Sequence, residues 1–218
     1  MKKFAIAALI LFTFRFGHAV VDMKNGNNAE NWIDLNLPSA GYSLRVVRFY
    51  NSRSGLSGIF GNGWCSNFET LISTTPEGRL RLVECGAGHE TIYSPKTFDA
   101  TSMAKVIDAI VAYYFKDNPG APRAAGESLR HEILSSSALR TNWARRAGVK
   151  NAEPKPGTIY LSDNLRTEKI LFDGKGFIRT LADGSMQGFD AKGRLISLYD
   201  KEANGIKIYS NKRLHLKH

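Results

Sequence analysis

Apolar and polar residues alternate with period two from Trp32 to Leu37, so that Ile33, Leu35 and Leu37 fall on one face of a predicted strand. Pro38-Ser39-Ala40-Gly41 interrupts it. Ser43 to Tyr50 is a β-branched and aromatic run with arginines on both sides of its centre, and Asn51 to Gly63, rich in Asn, Ser and Gly, reads as loop. Trp64 to Ser73, Arg79 to Glu84 and His89 to Tyr93 read as further strands between glycine-containing turns.

The period changes after Ser94-Pro95. Met103, Val106, Ile107, Ile110, Val111, Tyr114 and Phe115 recur at helical spacing over 100–116, with Asp99, Thr101 or Ser102 available as caps. The apolar face of this helix is expected to pack on the chain's own sheet. Asn118-Pro119-Gly120 stops it; Leu129, Ile133 and Leu134 mark a second helix, and Leu139, Trp143 and Ala147 a third. Ser136 or Ser137 serves as N-cap of the third, and Gly148 ends it.

From Thr158 strands resume, at about 158–162, 167–172, 177–181, 185–189, 194–199, 206–209 and 213–216. Short strands joined by tight turns form an antiparallel meander. The fold class is therefore mainly β, and α+β overall: an antiparallel meander with an inserted three-helix segment. The expected organisation is a leader over 1–19, an N-terminal β domain over 20–95, a helical insert over 96–150, a linker over 151–157 and the meander over 158–218.

A repeat punctuates the last part. Phe172-Asp173-Gly174-Lys175-Gly176-Phe177-Ile178 is echoed by Phe189-Asp190-Ala191-Lys192-Gly193-Arg194-Leu195, and again by Tyr199-Asp200-Lys201-Glu202-Ala203-Asn204-Gly205. Asp183-Gly184 is a smaller relative, so Asp positions 173, 183, 190 and 200 are spaced 10, 7 and 10. An Asp bonds the backbone at the start of a turn, and the Gly of Asp-x-x-Gly takes the positive-φ position. The aromatic before each Asp is expected to stack on its counterpart in the neighbouring hairpin, for roughly 0.2–1 kcal/mol per pair.

Composition adds a compartment. Of the 218 residues, Lys2 and Lys3 precede an apolar run from Phe4 to Phe14, and Gly17-His18-Ala19 offers small residues for cleavage. Eleven apolar residues fall short of the roughly 20 that a membrane span needs. A cleaved secretory leader is expected, hence a periplasmic, envelope or secreted location and no stable membrane span. The formal charge is +10 with the leader and +7 without Lys2, Lys3 and Arg15. The basic residues are scattered, the densest groups being Arg140, Arg145, Arg146, Lys150 and Lys207, Lys212, Arg213, Lys217. Neither is interleaved with aromatics, so nucleic acid is not the expected partner. Cys65 and Cys85 flank the turn signal Thr75-Pro76-Glu77-Gly78, and in an oxidising compartment they are expected to pair across that hairpin.

No reactive constellation emerges. His89, His131, His215 and His218 lack metal-ligand spacing, and Ser52, Ser54 and Ser57 lack a nucleophile context. Gly61-Asn62-Gly63-Trp64 reads as a tight turn before a Trp and not as a phosphate loop. Repeated Asp and Gly bring calcium to mind, but one Asp per turn supplies too few oxygens. Asp163 and Glu168 read as solvated carboxylates at strand ends, and Arg45, Arg48 and Arg53 as solvent-facing or cross-strand partners. The reading is of a protein that is not an enzyme and uses no cofactor or metal.

Two stretches resemble a known family. Phe189-Asp190-Ala191-Lys192-Gly193-Arg194-Leu195 with Tyr199-Asp200 is similar to the YD repeat of Rhs proteins, an aromatic-Asp, two residues, then Gly-Arg-Leu. Phe172, Asp173 and Gly176 begin an earlier unit of the same kind. Arg48-Phe49-Tyr50-Asn51-Ser52-Arg53 and Gly61-Asn62-Gly63-Trp64 resemble the motif of the domain that precedes those repeats, Arg-x-Tyr-Asn-Ser-Arg and Gly-x-Gly-Trp. The resemblance implies a sheet that spirals into a shell enclosing or presenting an effector, often a toxin, or acting in surface contact. It implies an exported structural or interaction module, a short shell segment meeting a protein partner through an open sheet edge. A carbohydrate- or surface-binding adhesion module is the alternative.

Overall fold

The computed structural model describes residues 18–22, 26–54, 57–85, 90–164 and 167–209. The chain opens with β1 (His18–Asp22), β2 (Asn27–Leu37) and β3 (Leu44–Asn51), then a small hairpin of β4 (Ser57–Gly58) and β5 (Gly61–Asn62), then β6 (Trp64–Ser66). β1, β2, β3 and β6 form a four-stranded antiparallel sheet in that order. His18 and Ala19 pair with Asn31 and Glu30. The leader expected over 1–19 overlaps this strand at His18 and Ala19, and its residues 1–17 lie outside the described residues.

The predicted face of β2 is redrawn by a bulge. Ile33 pairs with Val47 but Leu35 with Val46, so Asp34 is an extra residue. A one-residue slip transfers everything beyond it to the other face. Leu35 and Leu37 therefore lie with Trp32, and Ile33 lies on the reverse side with Val47. No described residue of β2 or β3 is buried.

The predicted strand over 64–73 breaks at Asn67–Thr70, which carries the chain from one sheet to the next. The Asn67 side chain accepts the Val47 N–H at 2.9 Å and donates to the Arg45 carbonyl at 2.9 Å, holding the corner against β3. Beyond it run β7 (Leu71–Thr74), β8 (Leu80–Val83), β9 (Glu90–Pro95), β10 (Ile159–Ser162), β11 (Lys169–Phe172), β12 (Gly176–Thr180), β13 (Met186–Asp190), β14 (Leu195–Tyr199) and β15 (Gly205–Lys207). They make one nine-stranded antiparallel sheet in chain order. The strand expected at 213–216 lies outside the described residues.

This sheet curls until its first strand meets a late turn: Leu71 bridges Arg194, and the Ile72 N–H donates to the Gly193 carbonyl at 2.8 Å. Inside the curl Ile72, Leu80, Leu82, Tyr93, Ile170, Phe177 and Phe189 are almost fully buried. Each such side chain contributes on the order of 1.5–3 kcal/mol. Tyr42, from the β2–β3 loop, and Phe68, from the corner, pack against this core from outside.

The three helices are α1 (Ala100–Asp117), α2 (Arg123–Ser135) and α3 (Ser137–Arg146). Asp99 caps the first, accepting the Thr101 N–H, and Ser136 the third, accepting the Leu139 N–H. Val106, Ile107, Ile110 and Val111 of α1 pack with Leu129, Ile133 and Ala144, so the apolar face of α1 meets its sister helices and not the sheet. Leu134, expected inward, is 54 % exposed. β9 and β10 pair directly, Pro95 opposite Tyr160, so the helices occupy the place of a hairpin loop.

One buried ion pair holds that insert. Arg140, 1 % exposed, donates through Nη2 and Nε to the Glu77 carboxylate at 2.6 and 3.1 Å, and through Nη1 to the Ile133 carbonyl at 2.6 Å. The sequence placed Arg140 in a surface basic group; the helices close over it instead.

Candidate interaction site on the N-terminal sheet

The motif residues around Arg48 and Trp64 come together at the β3–β6 edge of the small sheet. Tyr50 is in register with Trp64 and Arg48 with Ser66. The rings of Tyr50 and Trp64 lie 5.0 Å apart, and the Arg48 guanidinium sits 5.3 Å from the ring centres of both Trp64 and Phe60. Arg48 also grips Asp34, the bulge residue, through two hydrogen bonds of 2.5 and 2.8 Å. The bulge thus turns a carboxylate toward the arginine. Each such half-exposed contact is worth at most about 1 kcal/mol.

The remaining motif residues tie the loop to the sheet. Asn51 donates its N–H to the Gly63 carbonyl at 2.8 Å, and its side chain accepts the Arg53 N–H at 3.1 Å. Ser52 and Asn28 exchange two bonds of 2.9 Å. Gly63, at φ 74°, lies so near Tyr50 that a Cβ would stand 3.0 Å from the ring. Gly61 allows the β4–β5 turn at φ 104°. The sequence did not single out Glu69, which accepts the Ile59 and Ser66 N–H groups at 2.9 and 2.7 Å and pins this loop from below.

This arrangement leaves one sheet face carrying Trp32, Leu35, Leu37, Leu44, Val46, Tyr50 and Trp64, with Phe60 at its margin. The face assignment follows from the register. Leu35, Leu37 and Phe60 are 37, 52 and 39 % exposed.

The repeat residues build turns. Asp173, Asp183, Asp190 and Asp200 each accept the backbone N–H two residues on, at 2.7, 2.9, 2.9 and 3.0 Å. The Lys175 and Gly176 N–H groups hold the Asp173 carboxyl below its usual range, and the Ser185 hydroxyl, then the Ser185 N–H, do the same for Asp183. Burial would raise Asp190, but the Arg194 N–H and side chain outweigh it and the net shift is downward. In the first unit the positive φ belongs to Gly174, not to Gly176 as the repeat suggested, and in the last unit Ala203 adopts it at φ 63°. Phe172 stacks on Phe177 across its own hairpin, ring centres 4.8 Å apart, and Phe177 is in register with Phe189. Tyr199 lies opposite Met186 and Gly205.

Cys65 and Cys85 form a disulfide with a Cα separation of 5.7 Å. The β7–β8 register pairs Leu71 with Val83, so the bond is not a rung of that hairpin. It ties β6 of the small sheet to the end of β8 in the large one.

A second charged group centres on buried Arg179, and Glu168 is part of it rather than solvated. Arg179, 2 % exposed, donates to Glu168 Oε2 at 3.0 and 2.6 Å, to Glu84 at 2.5 Å and to Gln187 at 3.1 Å. The Tyr93 hydroxyl donates to the same Glu168 oxygen at 2.7 Å. Burial and that bond push the Tyr93 hydroxyl far above its ordinary value. Burial opposes the charge on Arg179, yet its carboxylate partners keep its pKa raised. Arg179 thus bridges the buried Glu168 to Glu84, whose side chain is 38 % exposed. Sequence spacing gives no hint of the pairing, since Glu84 and Arg179 are 95 residues apart.

Among the described residues no cluster of His, Cys, Asp and Glu has the makings of a metal site, and no helix is long and apolar enough to cross a membrane. Residues 18–93 match the profile of a family described as a domain of unknown function, DUF6531. That domain takes in the whole small sheet and reaches Tyr93 in β9. No curated protein matches the chain.

Proposed function

We propose that the chain is an exported, non-enzymatic structural and interaction module, a short Rhs/YD-repeat shell segment that meets another repeat-bearing chain through an open sheet edge. The observation that carries this reading is the curl of the nine-stranded meander. Its Asp190 and Asp200 turns share one geometry, each Asp N–H donating to the carbonyl four residues on, and the first of them receives the first strand through Gly193. Among the described residues β15 stands at the outer end of that sheet and pairs with β14 alone. An unpaired strand edge is a template for strand addition. The disulfide supports an oxidising compartment, in keeping with export. The carbohydrate alternative has less behind it: the Tyr50 and Trp64 rings pack on each other and under Arg48, and so do not offer free flat faces to a sugar.

Lysine cross-linking of envelope fractions tests the reading. Lys207, exposed on β15, should link to a polypeptide that itself carries Tyr-Asp repeats. Recovery of internal links from neighbouring Lys201, with no link from Lys207 to another chain, would contradict it.

A further inference from the structure

An asparagine followed by glycine carries a reaction within its own backbone. The side-chain amide carbon lies within reach of the next residue's nitrogen, and glycine has no Cβ to shield that nitrogen. Asparagine is accordingly among the thermolabile residues. The chain holds three such pairs, Asn25-Gly26, Asn62-Gly63 and Asn204-Gly205, of which Asn25 lies outside the described residues. Asn62 and Asn204 are both exposed, so solvent access does not separate them. Their tethers do. Asn204 Nδ2 donates to Asp200 Oδ2 at 3.0 Å and its backbone N–H to Asp200 Oδ1 at 2.8 Å. Gly205 stands in register with Tyr199 in β15, which fixes the nitrogen that would attack. Breaking a charge-assisted bond of this kind slows the attack at least tenfold. Asn62 ends β5, and among the described residues no partner holds its side chain. Gly63 cannot give way to a larger residue: it has φ 74°, and a Cβ there would stand 3.0 Å from the Tyr50 ring and 3.1 Å from the Asn51 carbonyl oxygen. The fold thus demands the glycine and leaves the asparagine loose.

We infer that Asn62 is a site of spontaneous deamidation within the candidate interaction site. The Gly63 nitrogen gives its proton to water and bonds to Asn62 Cγ, the Cγ–Nδ2 bond breaks, and ammonia leaves. Water then opens the resulting imide at either carbonyl, yielding aspartate or isoaspartate. Either product adds a carboxylate to the loop that sets Phe60 and Trp64 beside Arg48. Isoaspartate also lengthens the main chain by one carbon just before Gly63, whose carbonyl accepts the Asn51 N–H at 2.8 Å, and so loosens the motif.

The inference does not rest on the proposed function, because it concerns the covalent chemistry of one loop. Peptide mapping by mass spectrometry of the full chain, incubated folded at mildly alkaline pH, tests it. Asn62 should gain the mass of an amide-to-acid conversion at least tenfold faster than Asn204, as separable aspartyl and isoaspartyl peptides. In denaturant the two rates should converge. Asn62→Gln should abolish the conversion at 62 and leave that at Asn204 unchanged. Asp200→Ala, which removes the tether, should speed Asn204 toward the rate of Asn62. Equal rates in the folded chain overturn the inference, and so does an Asn62 that converts only in denaturant. A product containing aspartate but no isoaspartate overturns the imide route.

Discussion

The two sheets of this chain are made from similar sequence, short β-branched and aromatic runs between glycine turns, yet they meet water differently. The nine-stranded sheet turns one face inward and seals in it Leu80, Leu82, Ile170 and a complete Arg179–Glu168–Tyr93 network. The four-stranded sheet buries no described residue of β2 or β3, and its arginine, Arg48, is one-third exposed beside Asp34. The difference lies in length and curvature. Nine consecutive twisted strands can bend until β7 reaches Gly193, whereas four cannot enclose their own side chains. An apolar pattern in a strand thus specifies a face to be covered, and the number of strands decides whether the chain can cover it.

Matched substitutions break or sharpen that contrast. The largest effect is expected at the arginines. Arg179→Ala leaves Glu168 buried without its cation and should cost about 3–5 kcal/mol in denaturant unfolding, whereas Arg48→Ala should cost about 1 kcal/mol or less. Next come the leucines. Leu82→Ala, at a position with 0 % exposure, should lose about 2–5 kcal/mol, and Leu37→Ala, at 52 %, under about 0.5 kcal/mol. Equal losses within either pair would dissolve the distinction.

The disulfide tests how the two sheets depend on each other. Replacing Cys65 and Cys85 by serine removes a constraint spanning 20 residues and should cost about 2–4 kcal/mol. Amide exchange should then accelerate in β2 and β3 first, while β11 and β12 stay protected.

Acid should act on the helical insert. Burial opposes ionisation of Glu77, but the Arg140 hydrogen bonds and charge prevail and hold its carboxyl below the ordinary value. A depressed carboxyl gives stability that is full above the unfolded-state value and lost as pH falls through the folded one. Helical circular dichroism should therefore hold down to about pH 4.5 and fall below it. Glu77→Gln should flatten that acid dependence. The smallest effect is a gain: Ala203→Gly relieves a positive φ of 63° in the last repeat turn and should add roughly 0.5–1 kcal/mol.

Most of the large sheet was legible because its signals are local. Each Asp bonds the backbone two residues on, so Asp173, Asp190 and Asp200 mark their turns without help from the rest of the fold. The helices were legible for the same reason, through the spacing of Val106, Ile110 and their neighbours. What escaped is set by distance or by a single residue. The Arg140–Glu77 and Arg179–Glu84 pairs join positions 63 and 95 apart, which no window reveals. The bulge at Asp34 redirects Leu35 and Leu37 through one inserted residue that looks like ordinary alternation. β1 and the start of β2, with Asn27 and Asn28 at its head, carry too little apolar periodicity to announce a strand. In the candidate site, the motif residues were visible but their mutual contacts were not. Glu69, which pins the loop, carried no signal beyond being a charged residue near a tryptophan.

The large sheet covers its own inner face, whereas β2 and β3 of the small sheet bury no described residue. Hydrogen exchange of the native protein reads both sheets at once. The amides of β8, β11 and β12 should be strongly protected, while those of β2 and β3 should exchange faster. Equal protection in the two sheets would contradict this contrast.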